Sequence, residues 1–283
     1  MGIRGYEFLL ACERDRNATT RDAFSSSAYA HHRARQMELL RTLTGDRIAI
    51  LGAGNCNDLD LSSIAESFGE VHLFDIDGEA LRRAVERQDH GVRRACRLHE
   101  HDLTGVAALL DEWRDCSPEP MPAQLATWSA LSALIDEAGE FDTVMSTCLL
   151  SQVAINLRDF FGIVPALNGA LCAAVVGHLH LAAELTKPGG TLLVVSDCIT
   201  NQFPIHEEAD RCGPLEAIFH LAARGATFPG TDPDLIAGVL RGAEIAGTEL
   251  KDAWVWELTA EQQYLVYALM GTRRKRHLLA ESA

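Results

Sequence analysis

The chain has 283 residues, enough to bury a full core as one large domain or as a core with a cap. Its hydrophobic content of 47% and charged content of 23% are those of a globular protein. A formal net charge of −15 disfavours a nucleic-acid substrate, because that field repels phosphates.

Eight cysteines, at 12, 56, 96, 116, 148, 172, 198 and 212, form no C-x-x-C pair. This argues against a zinc site or redox dithiol and for reduced thiols in a cytoplasmic protein. The first residues lack a signal-peptide apolar stretch.

Residues 1–24 mix charges with Tyr6, Phe8, Leu9 and Leu10 and predict a short helix. Ser25, Ser26 and Ser27 break it and can cap a second helix over 28–43, with Met37, Leu40 and Leu43 on one side. Lying before the first strand, residues 1–44 are placed to form a helical lid over a ligand mouth. Tyr29, His31, His32, Arg33 and Arg35 read as a solvated face, or else Arg33 or Tyr29 meets a ligand carboxylate.

Ile48 to Leu51 is a short apolar, β-branched run, a buried strand. Gly52 and Gly54 follow at once and let a ligand approach the backbone. A helix capped by Asp58 then carries Leu61, Ile64, Ala65 and Phe68 on one face, and Gly69 stops it. The next strand, Val71 to Phe74, ends in Asp75. Strand, glycine turn, helix, strand and acid is the layout that holds an adenosine-type ligand at the carboxyl ends of parallel strands. The dinucleotide pattern needs glycine at 57, where Asn57 stands.

Asp77 suits the cap of a helix through Leu81, Ala84 and Val85. A third strand is expected over about 93–98, ending near His101, Asp102 and Leu103. His99 and His101 alternate as on one strand face, but no third metal ligand is evident. Residues 105–140 read as two helical pieces around a proline-rich break at 117–122, a surface excursion. Phe141 to Thr147 is a fourth strand.

From Phe160 to Ala183 there are 24 residues without Asp, Glu, Lys or Arg. The length suits a membrane span, but Gly162, Pro165, Asn168, Gly169, Gly177, His178 and His180 interrupt it. A buried helix over about 166–186 fits better, at a subunit contact if the protein is a homodimer, with His178 as a satisfied core histidine. Lys187-Pro188-Gly189-Gly190 is a sharp turn before a fifth strand at 191–196, with Asp197 at its end. Residues 198–250 form a second excursion with a helix over 233–246. Strands at 253–258 and 264–271 make an antiparallel edge pair. Arg273, Arg274, Lys275 and Arg276 read as a solvated chain end.

Five strands alternating with helices, then a hairpin, resemble the class I S-adenosylmethionine-dependent methyltransferases. The likeness rests on Leu51-Gly52-Ala53-Gly54-Asn55, Asp75, Asp102-Leu103, the Phe141–Val144 run before Ser146, and the Lys187–Gly190 turn. It covers about residues 45–200 and the hairpin. It implies a Rossmann-like, doubly wound, mostly parallel seven-stranded α/β sheet with helices on both faces.

The resemblance also implies S-adenosylmethionine as cofactor. Gly52, Ala53 and Gly54 would then let the backbone approach its methionine part. Asp75 would take both ribose hydroxyls, and Ile76 would pack on adenine. Asp102 would take the adenine amino group, Leu103 would donate to the ring, and Ser146 would approach the methionine through its backbone. The family often has an acid where Ile50 stands and a third glycine where Cys56 stands. The cofactor ammonium then needs another acceptor, a backbone carbonyl or Asp58.

Activity would be methyl transfer to N, O or C of a small molecule or short peptide, with His31, His32, His206 and Asp197 as candidate bases. A nicotinamide-dependent oxidoreductase and a non-catalytic binding protein are the alternatives. No metal, membrane or nucleic acid is expected.

Overall fold

The computed structural model describes residues 4–115 and 119–275. Two helices come first, α1 (Gly5–Thr19) and α2 (Ser27–Leu40), then the first strand, β1 (Gly45–Leu51). There follow α3 (Leu61–Ser67), β2 (Phe68–Asp75), α4 (Gly78–Glu86), α5 (His90–Ala95) and β3 (Cys96–Glu100). Next are α6 (Leu110–Asp115), α7 (Pro120–Ala138), β4 (Phe141–Thr147), α8 (Leu149–Phe161), α9 (Pro165–Leu185) and β5 (Thr186–Thr200). The chain continues through α10 (Ile205–Cys212), α11 (Pro214–Ala222) and α12 (Pro233–Gly242) to β6 (Ile245–Glu257) and β7 (Gln263–Arg273).

One seven-stranded sheet runs β3-β2-β1-β4-β5-β7-β6. The first five strands are parallel, and β7 is antiparallel to both of its neighbours. The last hairpin is therefore threaded so that its second strand, not its first, joins the parallel set.

Alternation in β1 sends Ile48 and Ile50 to one face and Ala49 and Leu51 to the other. On the first face lie α2 to α5, through Met37, Leu40, Ile64, Leu81 and Val92. The second face is covered by α6 to α9, α11 and α12. Both sides of a parallel sheet are thus buried, which is why its strands read as continuous apolar runs. The expected sheet, its edge pair and the helices on both faces are all present.

Several local expectations shift. Asp60, not Asp58, caps α3, accepting from the N–H groups of Ser62 and Ser63. The third strand lies at 96–100 rather than 93–98. The fifth and the two last strands run longer than expected, and α12 ends at Gly242. The excursion at 105–140 does hold two helices, but Ala123, Leu131 and Leu134 of α7 are buried, so that helix is part of the core layer. Ser117, Pro118, Cys116 and Arg276 fall outside the described residues.

Helix α9 is long and apolar enough to cross a membrane, yet 72% of its most apolar window is buried inside the fold. His178 on it is fully buried, with Nε2 at 2.8 Å from Ser146 Oγ and Nδ1 at 3.1 Å from the Leu103 carbonyl. It is the satisfied core histidine the sequence suggested.

Arg273 corrects the reading of the basic stretch as a solvated end. It is 3% exposed, and its guanidinium donates to the carbonyls of Glu184 and Thr186 and to the Glu184 carboxylate. These carbonyls close α9, where a cation opposes the helix dipole.

Candidate cofactor site

The site forms where β1, β2 and β4 end together. The N–H groups of Gly52 and Ala53 both donate to the Phe74 carbonyl, at 2.9 and 3.1 Å. Gly52 has φ +82, and a Cβ there would lie 3.2 Å from both Leu149 Cβ and the Thr147 carbonyl. Cys56 has φ 52, so the position where a third glycine is common does hold left-handed backbone here. Cys148, at the head of α8, is also left-handed, with φ 47. Two strained non-glycine residues thus meet at one end of the sheet.

Asp75 joins this turn to the second strand. Its Oδ2 accepts from Gly54 N–H at 2.8 Å, and its Oδ1 from Asp77 N–H at 2.9 Å. A carboxylate offers about four acceptor sites, so each oxygen keeps one. Burial, then the nearby Glu13 carboxylate, pushes the Asp75 pKa up to about 7. Asp77 caps α4, as expected, and also accepts from Asn17 Nδ2 at 3.0 Å.

Two cavities flank Asp75. One, of about 470 Å³, is lined by Ile76, Asp102, Leu103, Val106, Leu149 and Val153, among others. Its walls are mostly aliphatic, with Asp102 and Thr104 as a polar edge. Asp102 first shapes its own turn: Oδ1 accepts from Thr104 N–H and Oγ, and Oδ2 from Ala107 N–H. The other cavity, of about 530 Å³, runs along Gly52 to Asp58 and reaches Thr147 and Cys148. Glu13 and Asp75 border both cavities, which makes them two lobes of one groove. Ser146 lines neither lobe; it is fully buried on His178, and the next two residues, Thr147 and Cys148, face the groove instead.

These residues fit S-adenosylmethionine. An apolar slot with an acid at its edge suits adenine, and the Asp75 carboxylate with spare acceptor capacity suits a ribose diol. The glycine turn leaves backbone open to the amino-acid tail.

Beyond the second lobe lies a chamber of about 1200 Å³, walled in part by Tyr29, Trp256, Tyr264, Gln152, Ser151 and Asp197. Tyr29, Cys148 and Trp256 border both spaces. Of the four candidate bases, Asp197 alone lines this chamber. It is buried, accepts from Ser151 Oγ at 2.7 Å, and has its pKa raised by burial. His32 is fully buried and stacked on Trp256, and burial pushes its pKa down to about 3. His31 borders a separate surface cleft, and His206 bonds Gln263 away from the chamber.

The first two helices are not a solvated preamble. Leu9 of α1 packs with one sheet face, while Met37 and Leu40 of α2 pack with the other. The segment joining them therefore crosses the carboxyl ends of the strands. Asn55 and Asn57 donate to the carbonyls of Asn17 and Thr20 at 2.7 Å each, tying it to the glycine turn. Arg33 is spent on the carbonyls of Phe24 and Asn57, and Arg35 pairs with Asp252. Tyr29, by contrast, does face the groove.

Glu13, Asn17 and Trp256 escaped the sequence reading. Glu13 and Asn17 lie i and i+4 on one helix face, the one signal available, but nothing in sequence says which face meets Asp75.

No family model matches the chain, and no curated protein does. Among solved structures, an O-methyltransferase family protein from Burkholderia thailandensis is 18% identical over 94% of this chain and 64% of its own, with TM-score 0.47. The YcgJ protein of Bacillus subtilis is 12% identical over 87% of this chain and 99% of its own, with TM-score 0.48. Human N-acetylserotonin methyltransferase, solved with S-adenosylmethionine, is 14% identical over 94% and 56%, with TM-score 0.43. The chain thus spans under two thirds of the first and third of these proteins. The sheet itself is mixed, with the antiparallel β7 lying between β5 and β6.

Proposed function

We propose that the protein is an S-adenosylmethionine-dependent methyltransferase acting on a small molecule or short peptide. The observation that carries this reading is Asp75, a buried acid set between an apolar slot and a glycine turn. When bound, the cofactor supplies an activated methyl group on a positively charged sulfur.

The chain's own work is binding, alignment and exclusion of water. Asp75 would hold the ribose, the lobe at Ile76 and Leu103 would take the adenine, and the glycine turn would hold the amino-acid tail. The chamber beyond Cys148 receives the acceptor against Tyr29, Trp256 and Tyr264. For an acceptor that must lose a proton, Asp197 is the base with access, and its raised pKa suits it to hold one.

A nicotinamide dinucleotide fits less well. Its pyrophosphate would use the helix N-terminus after the glycine turn. Here the first amides of α3 are taken by Asp60, and Asp58 adds a second carboxylate beside them.

Calorimetric titration with S-adenosylmethionine and with NAD is the test. Micromolar or tighter binding of the first alone supports the reading. Binding of NAD alone overturns it in favour of an oxidoreductase, and binding of neither points to a non-catalytic role.

A further inference from the structure

We infer that the acceptor taken by the large chamber is a protonated amine, its ammonium held between the Asp197 carboxylate and the rings of Tyr29, Trp256 and Tyr264. This deepens the methyltransferase reading above and rests on it. The three rings form one wall. Tyr29 lies 5.5 Å and Tyr264 5.7 Å from Trp256 between centroids, and all three border the chamber of about 1200 Å³. Trp256 is fixed in place. Its indole N–H donates to the Ala28 carbonyl at 2.9 Å, and His32 stacks on its ring at 4.0 Å. Aromatic faces are negative and attract cations, most strongly where water is excluded.

The charges favour the same guest. Asp197 stands in the chamber wall at 7% exposure, and burial raises its pKa. Its close neighbours are neutral. The Ser151 hydroxyl donates to Oδ1 at 2.7 Å, and the Cys148 thiol beside it is kept protonated by burial. Asp15 and Asp159 add two exposed carboxylates to the lining. Among the described residues of the walls, Arg16 is the one basic side chain. Its charge reaches Asp197, yet the guanidinium itself is spent. It pairs with Glu13 at 2.5 Å and donates to Gln152 and Asn156 at 3.3 and 3.1 Å. Asp159 pairs with exposed Arg158 at 3.4 Å, a contact worth little in water. The chamber therefore carries an excess of negative charge, and an anionic acceptor would enter against it. An arriving ammonium favours the charged form of Asp197. The same carboxylate can then take one ammonium proton, which leaves the nitrogen lone pair free to accept the methyl group.

The test uses the full chain, calorimetry and three probes of one skeleton. Phenethylamine, phenethyl alcohol and hydrocinnamate end in an ammonium, a hydroxyl and a carboxylate. S-adenosylhomocysteine is titrated first and then kept saturating. The amine should bind about tenfold or more tighter than the alcohol, the scale of one charge-assisted contact, and the carboxylate should bind weakest. In Asp197→Asn the amine should lose about tenfold, while the alcohol stays within about threefold of the parent. Tyr264→Leu should also weaken the amine more than the alcohol. It takes the place of Asp197→Asn if melting curves show that variant unfolded.

An amine that binds no tighter than the alcohol, or a carboxylate that binds tightest, overturns this inference. So does a variant that keeps the parent's full preference for the amine. In each case bound S-adenosylhomocysteine leaves the cofactor reading intact. If S-adenosylhomocysteine does not bind, the cofactor reading falls and this inference falls with it.

Discussion

The backbone N–H of Gly54 donates to Oδ2 of Asp75 at 2.8 Å, so the turn after the first strand and the acid after the second form one unit. Replacing Asp75 by Ala should remove two hydrogen bonds to the ribose and loosen that turn. The expected loss is about 2–4 kcal/mol of S-adenosylmethionine affinity, roughly thirty- to a thousand-fold. Asp77→Ala should act differently. Asp77 is 1% exposed and caps α4, so its loss should cost about 1–2 kcal/mol of stability and much less affinity. Titration and melting curves on both variants separate the effects, and the opposite pattern would mean that the ribose is held by Asp77.

Asp75 also makes cofactor affinity depend on pH. In the free protein its pKa lies near 7, so below that value it carries a proton. Two ribose hydroxyls favour the charged form, so binding should release protons between about pH 6 and 7 and tighten as pH rises through that range. Calorimetry in buffers of different ionisation enthalpy measures the release. A constant affinity from pH 6 to 8 would show that Asp75 does not titrate there.

Stability should run the other way from that group and with the histidines. A raised folded pKa means that Asp75 favours the fold below its ordinary 3.8, a contribution lost as pH rises through about 7. His32, His99 and His178 have folded pKa values pushed down by burial, to about 3, 4 and 4. Their contribution is present above 6.5 and is lost as pH falls toward those values. Burial raises Asp58 and Asp197 as it does Asp75, and lowers His72 and His180 as it does the other three, so five histidines oppose three carboxylates and the melting temperature should fall between pH 7 and pH 4. A melting temperature that rises over that interval would contradict this balance.

Much of the core was legible because its elements have clean periods. The strand from Ile48 to Leu51, the glycine turn, Asp75 at the end of β2 and the uncharged stretch that became α9 were legible, whereas Phe68 and Gly69, expected to end α3, open β2 instead. In α2 the extent and the apolar pair Met37 and Leu40 were legible, but not His32 and Gln36, the polar half of its buried face. Hydrophobic periodicity cannot report a face whose burial is repaid by Trp254 and Trp256 more than two hundred residues away. Arg273 was misread for a related reason. A basic run looks solvated until the fold places the end of α9 beside it. The cap of α3 was misplaced by two residues, since Asp58 and Asp60 are equally good caps and only the partners of Asp58 on α2 and β4 tell them apart.

Asp102 should show a mixed phenotype. Three of its acceptor sites hold Thr104 and Ala107, and it borders the adenine lobe. Asp102→Ala should weaken cofactor binding by roughly 1–2 kcal/mol and lower the melting temperature as well. Asp102→Asn should keep part of the turn. A variant with normal cofactor affinity but a lower melting temperature would assign Asp102 to the turn alone.

The N-terminal segment should behave as a lid. Helix α1 brings Glu13, Arg16 and Asn17 to the groove, and its link to α2 crosses the strand ends. It is held there by polar contacts. Asn55 and Asn57 bond its carbonyls, Arg87 donates to the Arg21 carbonyl at 2.9 Å, and Asn156 donates to Glu13 at 2.7 Å. Polar contacts exchange for water at little net cost, which suits a segment that opens, whereas its apolar anchors are Leu9 and Phe8, the latter edge-on to Phe160. Deleting residues 1–27 should therefore reduce methyl transfer far more than it lowers the melting temperature. It should also raise the rate of cofactor release, because Glu13 and Asn17 no longer cover Asp75 and Gly54. A milder variant, Asn17→Ala, removes the bond to Asp77 and should speed release without unfolding α1. Stopped-flow displacement of a fluorescent cofactor analogue measures the rate. A truncated protein with parental release and parental turnover would show that the segment is packing alone.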